Sequence, residues 1–180
     1  MAAYLLVDGY NIIFAWKRLA KLAEISLELA RDKLIDILVN FAAYQADESL
    51  ILVFDAHKVT GGAGEVEQIN GITVVYTKER ETADAYIERS ARVLTGTSRV
   101  RVATSDALEQ LIILSSGAYR VSAREFEEEI FAAEKEIAGI IEKAIPIKKN
   151  ALFTNLDDKT LARLNELMNY PDASGRGIGL

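Results

Sequence analysis

Leu5-Leu6-Val7-Asp8-Gly9-Tyr10-Asn11 is an apolar run of strand character that stops on a carboxylate, almost at the start of the chain. Taken alone it reads as a turn, because glycine accepts positive φ and aspartate bonds to nearby backbone. A turn explains one such ending. It does not explain why Leu50-Ile51-Leu52-Val53-Phe54-Asp55 ends the same way, or why Arg99-Val100-Arg101-Val102-Ala103-Thr104 runs into Ser105-Asp106. Carboxylates that recur after apolar runs point to a shared edge of one sheet.

Between these runs the period changes from strand to helix. Ile12 to Leu22 reads as a short helix or helical loop, and Ser26 to Tyr44 as a longer helix with Leu27, Ala30, Leu34, Ile37, Leu38 and Phe41 on its buried stripe. The stretch AHKVTGGAGEVEQ reads as a glycine-bearing loop before a third strand, Gly71 to Tyr76. Thr82 is placed as the N-cap of the next helix, which puts Asp84 in its first turn. A helix from Ser105-Asp106 through Leu114 is expected to stop at Gly117, and Ala118 to Val121 forms a fifth strand. Ser122-Ala123-Arg124-Glu125 has capping-box spacing for an acidic helix to about Lys143. Past Pro146 the chain is expected to be irregular, with a last helix over Asp157 to Met168 and a frayed tail. Strands that are apolar on both faces and alternate with helices give an α/β fold, a three-layer domain with a mainly parallel sheet. The expected division is a domain over 1–145 and a helical appendage over 146–180.

Composition narrows the chemistry. The 180 residues are 50% hydrophobic and 27% charged, which suits one compact core. No apolar run spans a bilayer and the first residues lack a signal-peptide layout, so the expectation is a cytoplasmic protein with no membrane partner. There is no cysteine and one histidine, His57, which excludes disulfides, thiolate zinc sites and any site built on two imidazoles. A metal here must be held by oxygen. The net charge of −6 argues against non-specific coating of nucleic acid. The acid excess is local: Arg124 to Lys143 holds seven glutamates against three bases.

In an open parallel sheet, ligands bind beyond the carboxyl ends of the strands. Asp8, Asp55 and Asp106 belong to that edge, and Asp84 opens a helix whose loop leaves it. Each residue singly fits a cap or turn. Together they repel unless a cation sits among them, and oxygen-only donors suit Mg²⁺ or Mn²⁺. Asn11 either orients a carboxylate or caps a helix. Thr104 and Ser105 could hold a water or phosphate, and Ser105 equally could cap its helix. Glu88 sits one turn after Asp84, as an outer ligand or a partner of Arg89 or Arg92. Lys58, Lys78 and Arg80 are the bases expected to meet a phosphate backbone. His57 reads as a loop residue, Trp16 as core, and Lys148-Lys149 as too small a patch to define an interface.

The motifs VDGYN at 7–11, VFD at 53–55, ETADAYIE at 81–88 and ATSD at 103–106 resemble, in that order, the NYN domain of the PIN-like nuclease superfamily, above all the YacP-like NYN proteins, bacterial endoribonucleases of about this length. The resemblance covers most of residues 4–143. It implies strand order 3-2-1-4-5 and an acidic rim for Mg²⁺ or Mn²⁺. Asp8, Asp84 and Asp106 correspond to the ligands, with Asp55, Asn11 and Ser105 completing the catalytic set. It further implies hydrolysis of RNA by water, leaving 5′-phosphate and 3′-OH ends, a link to mRNA decay, and the ribosome as a partner, with no small-molecule cofactor. Two other families fit less well. A receiver-type phosphoacceptor needs a second acid where Gly9 stands and a lysine where Arg120-Val121-Ser122 stands, and a haloacid-type phosphatase needs an aspartate at Tyr10. A module of the same fold that binds RNA or the ribosome without cutting is the non-enzymatic alternative.

Overall fold

The computed structural model describes residues 2–55, 64–106 and 117–153, with residues 143–153 as backbone only. The first strand, β1 (Ala3–Asp8), lies at the centre of a six-stranded sheet. Helices α1 (Gly9–Ala15), α2 (Lys17–Ala23) and α3 (Leu27–Tyr44) lead to β2 (Ser49–Phe54), which pairs parallel to β1. A hairpin comes next, β3 (Val66–Ile69) and β4 (Ile72–Tyr76), and β4 pairs parallel to β2. Helix α4 (Ala83–Thr95) crosses to β5 (Arg99–Thr104), which pairs parallel to the other side of β1 and carries β6 (Tyr119–Ser122) beyond it. The order is β3-β4-β2-β1-β5-β6. Without β3 this is the expected five-strand order, and the chain reverses direction across the sheet between β1 and β5.

The alternation of side chains builds two cores. Leu5 and Val7 of β1, with Leu50, Leu52 and Phe54 of β2, face Leu34, Leu38 and Phe41 of α3. Leu6, Val53, Val75 and Val102 point the other way, onto Ala83, Ile87 and Ala91 of α4. A strand buried on both faces must be apolar throughout, as LLV and LILVF are. The buried stripe expected for α3 is the observed one, except that Leu27 is only partly buried.

Three differences from the sequence reading have physical causes. Strand β3 occupies part of the stretch expected to be a loop: it is an antiparallel edge strand whose Val66, Glu67 and Gln68 are exposed, so it has no buried face to reveal it. Its signal is the Asn70-Gly71 turn, where φ is 45° and 97°, as a two-residue hairpin with both central residues left-handed requires. The second difference is Gly9, which is not a positive-φ glycine. A Cβ there would sit 2.2 Å from the Phe54 ring, so the residue is glycine because β2 packs its last aromatic against the start of α1. Third, helix α5 (Ala123–Phe153) continues through Pro146; proline removes one backbone hydrogen bond, and the lysines, alanines and leucine around it sustain a helix.

The chain forms two compact units, Met1–Glu136 and Ile137–Leu180. The first contains the sheet and both cores; in the second the described residues are the later turns of α5, where Ile140 and Ile141 are exposed. The helix expected after Ser105-Asp106, the last helix at 157–168 and the tail lie outside the described residues. Among the described residues no helix is long and apolar enough to cross a membrane.

Candidate active site

Register brings the acids to one end. Asp8 stands opposite Val53 and Val7 opposite Ala103, so Asp55 lies two residues past the level of Asp8 on one side and Ser105-Asp106 just past it on the other. This is the carboxyl edge of the sheet at its reversal point, where open α/β folds place ligands.

Asp8 is buried, with 3% of its surface exposed, and it is the N-cap of α1. Its Oδ1 accepts the Asn11 amide at 2.9 Å, and its Oδ2 accepts Asn11 Nδ2 at 3.0 Å. Asn11 therefore holds both oxygens and fixes the plane of the carboxylate. The Asn11 side-chain carbonyl in turn accepts the Ser105 hydroxyl, which ties the ends of β1 and β5 together across the reversal point. The Thr104 hydroxyl, fully buried, accepts the Asp106 amide at 3.1 Å, so Thr104 shapes the turn that presents Asp106.

Asp55 acts on the other flank. Its Oδ1 accepts the Ala83 amide at 2.9 Å, while Thr82 caps the same helix by accepting the Ala85 amide at 3.2 Å. Two side chains thus satisfy the first amides of α4, and Asp55 fixes where Asp84 enters the rim. Asp84 is an exposed residue whose carboxyl faces inward. Partial burial, then the charge of Asp8 and a hydrogen bond with it, then the charges of Asp106 and Asp55, push its pKa from 3.8 up to about 6. Every charge named there is negative, so the four acids meet electrostatically and Asp84 holds a proton toward Asp8.

The donor chemistry fits a hard divalent cation: carboxylate oxygens alone, crowded enough to hold one of them protonated to about pH 6. Among the described residues, however, no three acidic or imidazole side chains stand as a ready set of metal ligands, and below about pH 6 binding such an ion requires the proton on Asp84 to leave.

The other expected site residues are placed as follows. Lys78 and Arg80 are exposed in the loop before α4, Arg80 with φ 70°, and no described contact joins them to the carboxylates. Lys58 and His57 lie outside the described residues. Glu88 pairs with Arg92 at 2.6 Å and Arg89 with Glu81, so this helix face is an ion-pair surface. Trp16 is buried, donating from Nε1 to the Ala123 carbonyl at 2.8 Å. Tyr10, the motif residue with no assigned role in the sequence reading, packs edge-on against Phe54 at 5.2 Å and accepts from Arg31 at 3.1 Å.

Sequence reasoning missed a cavity of about 820 Å³ beside the rim, where Lys17, Arg18 and Arg124 meet Ser105 and Ser122. A signal for it existed: the capping box at Ser122 is real, with Glu125 accepting the Ser122 amide at 2.8 Å and Ser122 accepting the Glu125 amide at 3.2 Å. The strand before it ends on the same edge as β1, so Arg124 had to emerge there.

Residues 5–169 match the model of the YacP-like NYN domain. The YacP protein of Bacillus subtilis (strain 168) is 44% identical over 141 residues, which are 77% of this chain and 81% of that one. A crystal structure of Rae1 (YacP) from Bacillus subtilis superposes with a TM-score of 0.71 at 36% identity, over 99% of this chain and 100% of that one. A mutant of the same protein gives 0.67 at 40% identity, over 79% and 82%. With the family model, the relative and the solved structure in agreement, the chain belongs to the YacP-like NYN domain family, a nuclease-like family.

Proposed function

We propose that the protein is a metal-dependent endoribonuclease that hydrolyses RNA phosphodiester bonds at the acidic rim. The observation that carries this reading is the convergence of Asp8, Asp55, Asp84 and Asp106 at one sheet edge, close enough that burial and like charge hold Asp84 at about 6. A protein that keeps like charges together against their repulsion has a use for the cation that relieves it.

Asp8, Asp84 and Asp106 are the residues that would hold Mg²⁺ or Mn²⁺. Such an ion supplies Lewis-acid stabilisation of the phosphate and activation of water when bound. The chain's own groups do the rest. Asn11 fixes the Asp8 carboxylate through two hydrogen bonds. Asp55 positions the start of α4, and with it Asp84. Ser105, on Asn11, has a hydroxyl oxygen left to accept from a water at the rim. Hydrolysis by water leaves 5′-phosphate and 3′-OH ends, because the ribose 2′-OH takes no part. The setting proposed is cytoplasmic mRNA decay. A chain of net charge −6 holds free RNA weakly, which favours recruitment by a larger RNA–protein assembly such as the ribosome.

The absence of a ready three-ligand set among the described residues, with Asp55 engaged in capping, favours a second reading: an RNA- or ribosome-binding module of the same fold that does not cut. One assay separates the two. Purified protein is incubated with a structured RNA and with translated mRNA in Mg²⁺ or Mn²⁺, beside an Asp8→Asn/Asp84→Asn double variant. Cleavage by the parent alone supports the nuclease. Equal cleavage by both would sink the carboxylate mechanism, and binding by both with cleavage by neither would establish the module.

A further inference from the structure

We propose that the cavity beside the rim is a subsite for single-stranded RNA, taking the phosphate and base of a nucleotide next to the one cut; this rests on the nuclease reading above. The cavity and the rim share a residue. Ser105 lines the cavity and its hydroxyl is bonded to Asn11, the residue that holds Asp8. A strand lying across Asp8 therefore leaves the rim directly over this space.

Its charge is opposite to that of the rim. Lys17, Arg18 and Arg124 line it against one carboxylate, Glu127, in a chain whose total is −6. Arg18 is the fixed element. Its guanidinium lies 5.4 Å from the Trp16 ring centre and 4.7 Å from that of Phe131, so two aromatic rings set its plane. Its Nη1 is tied to Glu134 at 3.0 Å. Nε and Nη2 are shut from solvent with no hydrogen-bond partner, an arrangement that is unfavourable for each unmet donor. These two nitrogens form one edge of the guanidinium fork, the geometry that receives two oxygens of a phosphate, and binding of RNA requires that edge to turn toward the phosphate. Phe131, half exposed at 50%, offers a face on which a base stacks without regard to its identity.

The surrounding acids do not cancel this. Arg124 pairs with Glu128 at 3.1 Å, with side chains 89% and 64% exposed, and surface pairs of that kind contribute little and yield to a phosphate. Ser122 and Glu125 are engaged with each other in the capping box, which takes Glu125 out of competition.

The test uses the full chain and a 5′-labelled oligouridylate, read by fluorescence anisotropy at about 50 mM salt in EDTA, so that binding is measured without cleavage. Lys17→Glu/Arg124→Glu, two exposed positions that leave the core untouched, should weaken binding at least tenfold. It should also flatten the salt dependence by about 1.4 in slope, the equivalent of two phosphate contacts on a single strand. Arg18→Ala should do the same with a larger loss. Asp8→Asn/Asp84→Asn should bind at least as tightly as the parent, so loss of cleavage in that variant reports on the nuclease reading and loss of binding in the others on the subsite. Binding unchanged in Lys17→Glu/Arg124→Glu but lost in Lys78→Glu/Arg80→Glu would overturn the subsite, as would no binding by the parent. A polyglutamate peptide that binds as tightly as the RNA would also overturn it, and would assign the cavity to an acidic protein partner.

Discussion

Strand β5 connects two half-buried charge clusters that are solved in opposite ways. In its amino-terminal half Arg101, 19% exposed, reaches Glu48 at 3.2 Å and Glu129 at 2.6 Å. Burial works to lower the Arg101 pKa, and the hydrogen bonds and charges of Glu129 and Glu48 more than offset it, so the guanidinium is held charged above its ordinary value. Beyond its carboxyl end Asp106 joins Asp8, Asp84 and Asp55, and the charges that chiefly move Asp84 share its sign. The first cluster draws its opposite charge from within the chain, with one Glu48 oxygen on Arg101 and the other buried without a hydrogen-bond partner. In the second, every charge that acts on Asp84 is negative, the repulsion that the proposed cation would relieve. A compensated cluster serves the fold, whereas a frustrated one is what a site for a cation or a phosphate-bound cation looks like before its ligand arrives.

Each cluster can be dismantled separately. Removing the rim charges should have the largest effect: in Asp8→Asn/Asp84→Asn, cleavage measured by gel should fall on the order of a thousandfold or more, while circular dichroism stays native because asparagine is as good an N-cap as aspartate. Dismantling the compensated cluster should do the reverse. Arg101→Met strands Glu48 and Glu129 and should lower unfolding free energy in urea by about 3 kcal/mol, with cleavage per folded molecule unchanged; a catalytic defect without a stability defect would place Arg101 in the site instead.

Milder substitutions probe how the rim is supported. Ser105→Ala removes the hydroxyl that braces Asn11 and should reduce cleavage by about 10- to 100-fold, in the range seen for groups that orient metal ligands, with little change in melting temperature. The smallest effect concerns pH. Folded Asp84 keeps its proton to about pH 6, whereas the unfolded chain releases it near 3.8. The folded state therefore binds more protons in that window, and stability from this group falls as pH rises from about 4 to 6 and stays lower above. Asp84→Asn removes the penalty and should stabilise the metal-free protein at pH 7 by about 1 kcal/mol, less than the full shift because the residue is exposed to solvent. Equal stability curves for the two proteins between about pH 4 and 7 would refute the repulsion.

Much of this is legible from residues alone because a buried parallel strand must be apolar on both faces, and LLV and LILVF can hardly be anything else. Helix caps are equally plain: Thr82 and Ser122 follow from local chemistry, and each accepts the amide three residues on. Strand β3 is hidden because an exposed edge strand has no hydrophobic period, and the continuation of α5 because a single proline is a weaker signal than the residues around it. The acids at strand ends are visible in the sequence, yet whether each is a turn or a ligand is not.

Local period, composition and motif order are enough for the α/β layering, the oxygen-only chemistry and the family, since each is a property of residues close together along the chain. The rest depends on how distant segments meet. Register sets Asp8 level with Val53 and beside the end of β5. Packing makes Gly9 a contact for Phe54, and the joining of distant segments sets Ser105 on Asn11, Asp55 on the first turn of α4, and Lys17, Arg18 and Arg124 around one cavity. Through-space electrostatics depends on distances that no spacing along the chain encodes, which is why the raised pKa of Asp84 emerges only when four separate segments are brought to one edge.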